Sequence, residues 1–225
     1  MPELAFRIEG DERAVRIDRL IVAGWTGRDR AAVEHHIAEL GALGVKPPRA
    51  VPCFYGLGAS LLTTAAEVEV VGTDSSGEVE FVLVSARDGV CVGVGSDHTD
   101  RKVEAYGVTV SKQMCPKPIG AELWRLADVE AHWDRLELRS HVVRGGARML
   151  YQEGAVSKML SPADLLARLP GAPGALPPGA AMFCGTLPVQ GAIGGGARFE
   201  IELRDPVRRR SLRHAYAVRC LEIAD

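Results

Sequence analysis

Two apolar, β-branched runs joined by a short Asp-Gly turn constrain this chain more than any other feature. Val79-Glu-Phe-Val-Leu-Val84 and Val90-Cys-Val-Gly-Val94 flank Arg87-Asp-Gly89, a pattern that predicts two strands and a chain reversal between them. Ser76-Gly-Glu-Val-Glu enters the first arm, and Ser96-Asp-His-Thr-Asp-Arg101 leaves the second. Glu78 and Glu80 are two residues apart, so on a strand their side chains leave the same face. The reversal returns Asp97 beside them. Three hard oxygen ligands with room for water suit Mg²⁺ or Mn²⁺ in a site that also binds substrate oxygens. An E-x-E pair by itself also fits the solvated face of an amphipathic hairpin, and both readings stand on this pattern alone.

At 225 residues the chain is long enough to bury a substantial core. Apolar residues make up 47% and charged residues 25%, the usage of an ordinary globular protein. A formal net charge of −2 with no basic stripe argues against nucleic acid as a partner. The longest basic run, Arg208-Arg-Arg210, reads as a solvated strand connection. No apolar run approaches a membrane span, and Met1-Pro-Glu-Leu-Ala-Phe6 lacks the basic-then-apolar pattern of a signal peptide. The five cysteines (53, 91, 115, 184 and 220) form no C-x-x-C pair. An odd, scattered set predicts reduced thiols and a cytoplasmic protein rather than disulfides or a zinc site.

Strand patterning covers Leu4–Glu9 and Ile17–Ala23. The period then changes: Ala32, Val33, His36, Ile37, Leu40 and Leu43 fall at helical spacing, which predicts an amphipathic helix from Asp29 to a stop at Gly44. The Pro-rich bridge Lys46–Pro52 suggests a division into a small N-terminal α/β part, residues 1–50, and a main domain, residues 51–225. Short strands fill Cys53–Val110, and Ile119–Asp134 reads as a short helix followed by a loop. Strand signals return at Leu136–Val143, Ala197–Leu203 and His214–Ile223. Ser161-Pro162 opens a capped helix that runs to Leu169, and the Gly/Pro-rich stretch 171–179 is a connection. The expectation is an α+β, β-rich fold with peripheral helices.

The order of these pieces resembles the fumarylacetoacetate hydrolase superfamily over nearly the whole chain. In that family an E-x-E pair precedes an Asp within a motif close to N-D-x-T-A-R. Here those positions hold Glu78, Glu80 and Asp97, with Arg101 at the motif's Arg. Ser111-Lys112-Gln-Met-Cys-Pro-Lys-Pro118 is similar to the family's K-S-F-like segment and Pro-rich turn. Tyr151-Gln-Glu-Gly-Ala-Val-Ser-Lys-Met159 is similar to R-Q-x-G-N-T-x-x-M. Leu176-Pro-Pro-Gly179 and Cys184-Gly-Thr-Leu-Pro188 stand where the family has L-x-P-G-D and T-G-T-P. The family's upstream H-x-x-E dyad has a counterpart in His36-Ile-Ala-Glu39, two residues that share a helical face. The chain departs from the family in Ser96 for Asn, Asp100 for Ala, the insertion of Leu187, and an interval between Glu80 and Asp97 too short for the usual intervening helix.

The resemblance implies a mixed β-sandwich roll and a metal-dependent hydrolase that cleaves a C–C bond in a 1,3-dicarbonyl or acylpyruvate-type 2-oxo acid. Glu78, Glu80 and Asp97 would hold Mg²⁺ or Mn²⁺ as a Lewis acid on a chelating oxo acid. His36, oriented by Glu39, would activate water, or alternatively be a packed core histidine. Lys112 would stabilise a developing oxyanion, and Thr186 with its backbone neighbour Gly185 would hold the substrate's carboxylate end. Arg101 is placed at the substrate or behind Asp97. His98 is the alternative base, but in an extended segment it points away from Asp97. The same metal would serve a decarboxylase or isomerase of an oxaloacetate-like acid, and a catalytically inactive oligomeric binding module is the third possibility. The resemblance also implies a homodimer.

Overall fold

The structure is a computed structural model that describes residues 1–42 and 47–224; at positions 36 and 39–42 it describes the backbone alone. Among the described residues, seventeen strands and four α-helices follow in chain order. The first part holds β1 (Glu3–Ile8), β2 (Asp11–Arg16), β3 (Arg19–Gly24), α1 (Arg30–Ala42), β4 (Cys53–Leu57), β5 (Leu62–Thr63), β6 (Glu67–Val71) and β7 (Ser75–Ser76). Next come β8 (Val79–Ala86), β9 (Gly89–Ser96), β10 (Thr99–Asp100), α2 (Arg101–Glu104), α3 (Val108–Gln113), β11 (Lys117–Pro118) and β12 (Glu122–Arg125). The last part is β13 (Glu137–Arg144), β14 (Ala147–Ala155), α4 (Pro162–Ala167), β15 (Ala180–Thr186), β16 (Arg198–Asp205) and β17 (Arg210–Leu221).

Two sheets carry the fold. The larger runs β2-β1-β12-β9-β8-β15-β3-β4, and the smaller runs β14-β13-β16-β17-β6. Strands β8 and β9 form the expected hairpin, in register from Val79 opposite Ser96 to Ala86 opposite Gly89, so Arg87 and Asp88 make a two-residue turn. Residues 1–50 contribute β1, β2 and β3 to this larger sheet, and β3 pairs with both β15 and β4.

Strand alternation divides the larger sheet into two faces. Ala23, Val79, Phe81, Leu83, Val92, Val94 and Met182 point into the space between the sheets, against Leu138, Ile201, Leu203 and Leu212. Leu20, Val22, Val82, Val84 and Phe183 point the other way, into a second core completed by Phe6 and Val15. Strands from both ends of the sheet share that second core, so the sheet curls around it and forms the roll. Burial of these aliphatic and aromatic side chains supplies the main stabilisation, at ~25 cal/mol per Å² of apolar surface removed from water.

Several expectations need correction. The segment 119–134 is not helix then loop: it forms β12 and two 3-10 turns, Leu126–Asp128 and Glu130–Arg135. The run of strands expected through Val110 stops at Arg101, where α2 (Arg101–Glu104) and α3 (Val108–Gln113) take over. Helix α1 is present, with Asp29 Oδ1 accepting from the Ala31 and Ala32 N–H groups at its start. Its described side chains are nevertheless all exposed or half-buried, Ala32 among the exposed. Helix α4 is capped as expected, with Ser161 Oγ accepting from the Asp164 N–H at 3.1 Å, but it ends at Ala167 rather than Leu169.

Candidate active site

One end of the larger sheet gathers the chemistry. Strands β8 and β4 start there, and β9, β15 and the β3 parallel to it finish there. Glu80 shares the face of Val82 and Val84, and Asp97 continues the face of Gly95, so both point into the roll. The carboxylate oxygens of Glu78, Glu80 and Asp97 all lie within 4.8 Å of one another. The hairpin therefore brings together the three residues that its alternation predicted.

Cations and backbone donors orient each carboxylate. Arg101 Nη1 donates to Glu78 Oε1 at 2.9 Å and to Glu104 at 3.1 Å, while its Nε donates to Ser76 Oγ at 2.7 Å. Lys112, 6% exposed, donates to Asp97 Oδ2 and lies 3.5 Å from Glu78 Oε2. A second lysine, Lys117, is wholly buried; its Nζ sits 3.2 Å from Asp97 Oδ1 and donates to the His98 carbonyl at 2.5 Å and the Cys115 carbonyl at 3.1 Å. Glu80, 2% exposed, accepts the Gly185 N–H on Oε2 at 2.7 Å.

These partners set the electrostatics. Burial pushes the Glu80 carboxyl well above the ordinary carboxylate range, and the charges of Asp97 and Glu78 push it further. Burial raises Asp97 too, but Lys112 and Lys117 outweigh it and hold Asp97 below its usual value. Lys112 is raised by Asp97 and Glu78 against the opposing effect of burial, whereas burial prevails at Lys117 and lowers it. Glu80 is thus the carboxylate with least counter-charge. The donor set fits a hard divalent cation: all oxygen, mostly dry, and no wider than the roughly 4–5 Å that separates opposite oxygens on one Mg²⁺ or Ca²⁺ ion.

The sequence-predicted substrate groups spend their donors on the protein. Thr186 Oγ1 donates to the Val79 carbonyl at 2.8 Å and accepts from Gln152 Nε2 at 2.8 Å. Gly185, at φ +103°, directs its N–H at Glu80, and the Thr26 hydroxyl fills the space a Cβ would need. Arg101 braces Glu78 from behind. The side chains of His36 and Glu39 lie outside the described residues, and their helix follows β3 at this end of the sheet. Lys117 escaped the sequence reading because a lysine between Pro116 and Pro118 looks like a turn residue. Its signal was position, five residues after Lys112 and at the foot of the same motif.

His98 faces the other way, as alternation requires. Its Nδ1 lies 3.0 Å from Tyr216 Oη and its Nε2 lies 3.0 Å from Ser75 Oγ, in the space between the sheets. Burial, with the charges of Lys117 and Arg101, pushes its pKa down to about 3. A neutral imidazole with both nitrogens engaged is no base for this site.

Tyr55 and Trp25 complete the sheet end. Trp25 Nε1 donates to Tyr55 Oη at 3.3 Å, both residues are half-buried, and Trp25 has φ +59°. Burial pushes the Tyr55 phenol up to about 12, and the Lys112 charge is near enough to draw it back. A separate cleft of about 630 Å³ lies outside this site, between α4 and the 3-10 turns. Its Arg28 is taken up by Asp134 at 2.7 Å.

The family model described as "Protein of unknown function (DUF2848)" matches residues 23–216. A putative fumarylacetoacetate isomerase/hydrolase from Oleispira antarctica has a similar structure, with a TM-score of 0.67 at 16% identity over 97% of this chain and 100% of that one. A putative fumarylpyruvate hydrolase from Burkholderia cenocepacia gives 0.63 at 17%, covering 98% of this chain and 96% of that one. A 2-keto-3-deoxy-D-arabinonate dehydratase complexed with magnesium and 2,5-dioxopentanoate gives 0.63 at 15%, covering 95% and 78%. At such identities the likeness establishes the fold, which is the fumarylacetoacetate hydrolase type that the motif order implied. No curated protein matches the chain in sequence.

Proposed function

The chain belongs to the family described as "Protein of unknown function (DUF2848)", and from the carboxylates at the end of its roll we propose that it is a divalent-metal-dependent enzyme acting on 2-oxo acids. The reaction proposed is hydrolytic cleavage of a C–C bond in a 1,3-dicarbonyl or acylpyruvate-type acid. One observation carries this reading: Glu78, Glu80 and Asp97 converge within 4.8 Å while Lys112 stands against two of them. These three would hold Mg²⁺ or Mn²⁺, which supplies Lewis-acid polarisation of chelated substrate oxygens.

The chain's own residues do the rest. Lys112 carries a buried ammonium beside the position where an oxo acid would gain negative charge, and such preorganised charge stabilises an oxyanion strongly. Lys117, Arg101 and the Gly185 N–H hold Asp97, Glu78 and Glu80 in place and keep Asp97 ionised, as groups behind ligating residues do. His36, oriented by Glu39, is the proposed base that takes a proton from water. Two similarly folded proteins, titled a putative fumarylacetoacetate isomerase/hydrolase and a putative fumarylpyruvate hydrolase, support the substrate class.

A second reading has its own support. His98, His132 and His214 each bond elsewhere, to Tyr216 and Ser75, to Asp205, and to the Ala65 carbonyl. A similarly folded protein is titled a dehydratase and binds magnesium. Decarboxylation, isomerisation or dehydration of a 2-oxo acid at the same centre needs no activated water.

One experiment separates these readings. The purified protein is screened with Mg²⁺ or Mn²⁺ against acylpyruvates, oxaloacetate and related oxo acids, alongside His36→Ala. Hydrolysis should fall by ~10²–10⁴-fold in the variant, the range for a positioned base, while decarboxylation should change little. If the parent turns over no oxo acid and binds no Mn²⁺ by titration calorimetry, the reading is wrong.

A further inference from the structure

Trp25 and Tyr55 occupy the same end and the same face of the larger sheet as the carboxylates. Tyr55 pairs with Val22, whose side chain faces into the roll as Glu80 does. Between Glu80 on β8 and Tyr55 on β4 lie only β15 and β3, and at this level those strands present Gly185 and Gly24. Over Gly185 stands the short Thr26 side chain, and Gly24 itself adds none between the carboxylates and the aromatic pair. The Tyr55 ring folds over Gly24, its Cε2 only 2.9 Å from where a Cβ would stand, so any larger residue there would displace the ring.

Two further contacts tie the pair to the centre. Helix α3, which carries Lys112, packs on β4, and Gln113 Oε1 accepts the Gly58 N–H at 2.9 Å just past that strand. On the other side Trp25 precedes Thr26, whose hydroxyl rests on Gly185, the residue that holds Glu80. Trp25 sits in the left-handed region at φ +59°, a costly conformation for a bulky residue. Strain of that kind persists where the surroundings impose it and concentrates at functional sites.

From this juxtaposition we infer that Trp25 and Tyr55 form the wall of a substrate-arm subsite, selecting a flat apolar, above all aryl, substituent on the end of the oxo acid remote from the carboxylates. The inference rests on the 2-oxo acid reading above and adds the class of the variable arm. Two aromatic faces favour a ring stacked or edge-on against them. The cation nearest along the chain, Arg28, is occupied by Asp134 in two hydrogen bonds of 2.7 and 2.8 Å, so an arm ending in a second carboxylate finds no match there.

The test reads binding, not turnover. The full chain with Mn²⁺ is titrated calorimetrically with oxalate, which has no arm, and with oxamates bearing an N-methyl or an N-phenyl arm, which offer the same chelating oxygens and no 1,3-dicarbonyl bond to cleave. Tryptophan fluorescence is followed in parallel. The phenyl-armed acid should bind about tenfold more tightly than the methyl-armed one, a factor suited to one aromatic contact. Trp25→Leu and Tyr55→Leu should each shrink that preference to within about threefold while oxalate and Mn²⁺ bind as in the parent. Arm-dependent quenching should vanish in Trp25→Phe, a milder change that keeps the inference testable if the leucine variants do not fold. Equal binding of both arms by the parent, with Mn²⁺ and oxalate bound, overturns this subsite and leaves the metal centre standing. Failure of Mn²⁺ to bind the parent overturns both.

Discussion

Asp97 and His98 are neighbours in the chain, yet they belong to two buried polar clusters on opposite faces of the β8–β9 end. On the inter-sheet face, His98 is satisfied at both nitrogens, and Tyr216 Oη also lies 2.8 Å from Ser96 Oγ. The aromatic rings of Phe199 and Tyr216 close around this group. On the roll face, three carboxylates share Lys112, Lys117 and Arg101, and Glu80 is left with one backbone donor and a strongly raised pKa. A neutral, saturated network rigidifies a core. The charged face differs: its three cations pair with Asp97 and Glu78, Glu80 is held by the Gly185 N–H, and the proposed cation would supply counter-charge there.

The largest expected effect comes from the charged face. Asp97→Asn should abolish Mn²⁺ binding and turnover, and it should also lower the melting temperature, because it strands the buried Lys112 and Lys117 ammoniums that Asp97 pairs. Titration calorimetry that finds unchanged Mn²⁺ affinity in Asp97→Asn would break the contrast at its root. Next is Lys112→Met, which keeps the apolar stem and deletes the ammonium. Turnover should fall on the order of a hundredfold, as for loss of one preorganised contact, with Mn²⁺ still bound. Turnover within about threefold of the parent, a barrier change under ~1 kcal/mol, would remove Lys112 from the chemistry.

The neutral face should answer differently. Tyr216→Phe strips the hydroxyl shared by Ser96 and His98 and should cost about 1–3 kcal/mol of stability, the penalty for stranding buried partners. Its kcat should stay close to the parent's; a large drop in turnover with unchanged melting would mean the two faces are one functional unit.

The smallest effect concerns pH. Glu80 holds its proton more firmly folded than unfolded, so without metal it costs stability as pH rises above the ordinary carboxylate range toward its raised folded value. His98 has the opposite sign of dependence: its folded pKa near 3 means that stability is lost as pH falls below about 6.5. Metal-free Glu80→Gln should therefore melt above the parent at pH 8, and the gap should narrow at pH 5. A gap that is flat with pH would show that Glu80 is not the carboxylate under strain.

The hairpin, the convergence of Glu78, Glu80 and Asp97, and the outward turn of His98 were legible because all follow from a period of two. Lys112 was legible through its motif. Strand β12 was not, since Glu122-Leu-Trp-Arg125 has no β-branched residue and its pairing with β9 and β1 is decided by distant chain. The Trp25–Tyr55 pair was invisible for the same reason, and Lys117 showed only through its place after Lys112 in the motif. Their partners, Asp97 for Lys117 and Gly24 for the Tyr55 ring, are brought to them only when the sheet assembles.

The hairpin's brevity has a kinetic consequence. Glu78, Glu80 and Asp97 fall within twenty residues of one another, whereas the Glu80–Gly185 contact closes a loop of 105 residues. By loop-closure entropy the local triad is cheaper to gather by roughly 1–2 kcal/mol, and a β-hairpin can close in roughly 1–10 μs. The three carboxylates can therefore meet before the roll exists, and the proposed divalent cation would find a foothold in the folding transition state. Mn²⁺ should quicken refolding and leave unfolding nearly unchanged, the signature of a contact already made at the barrier.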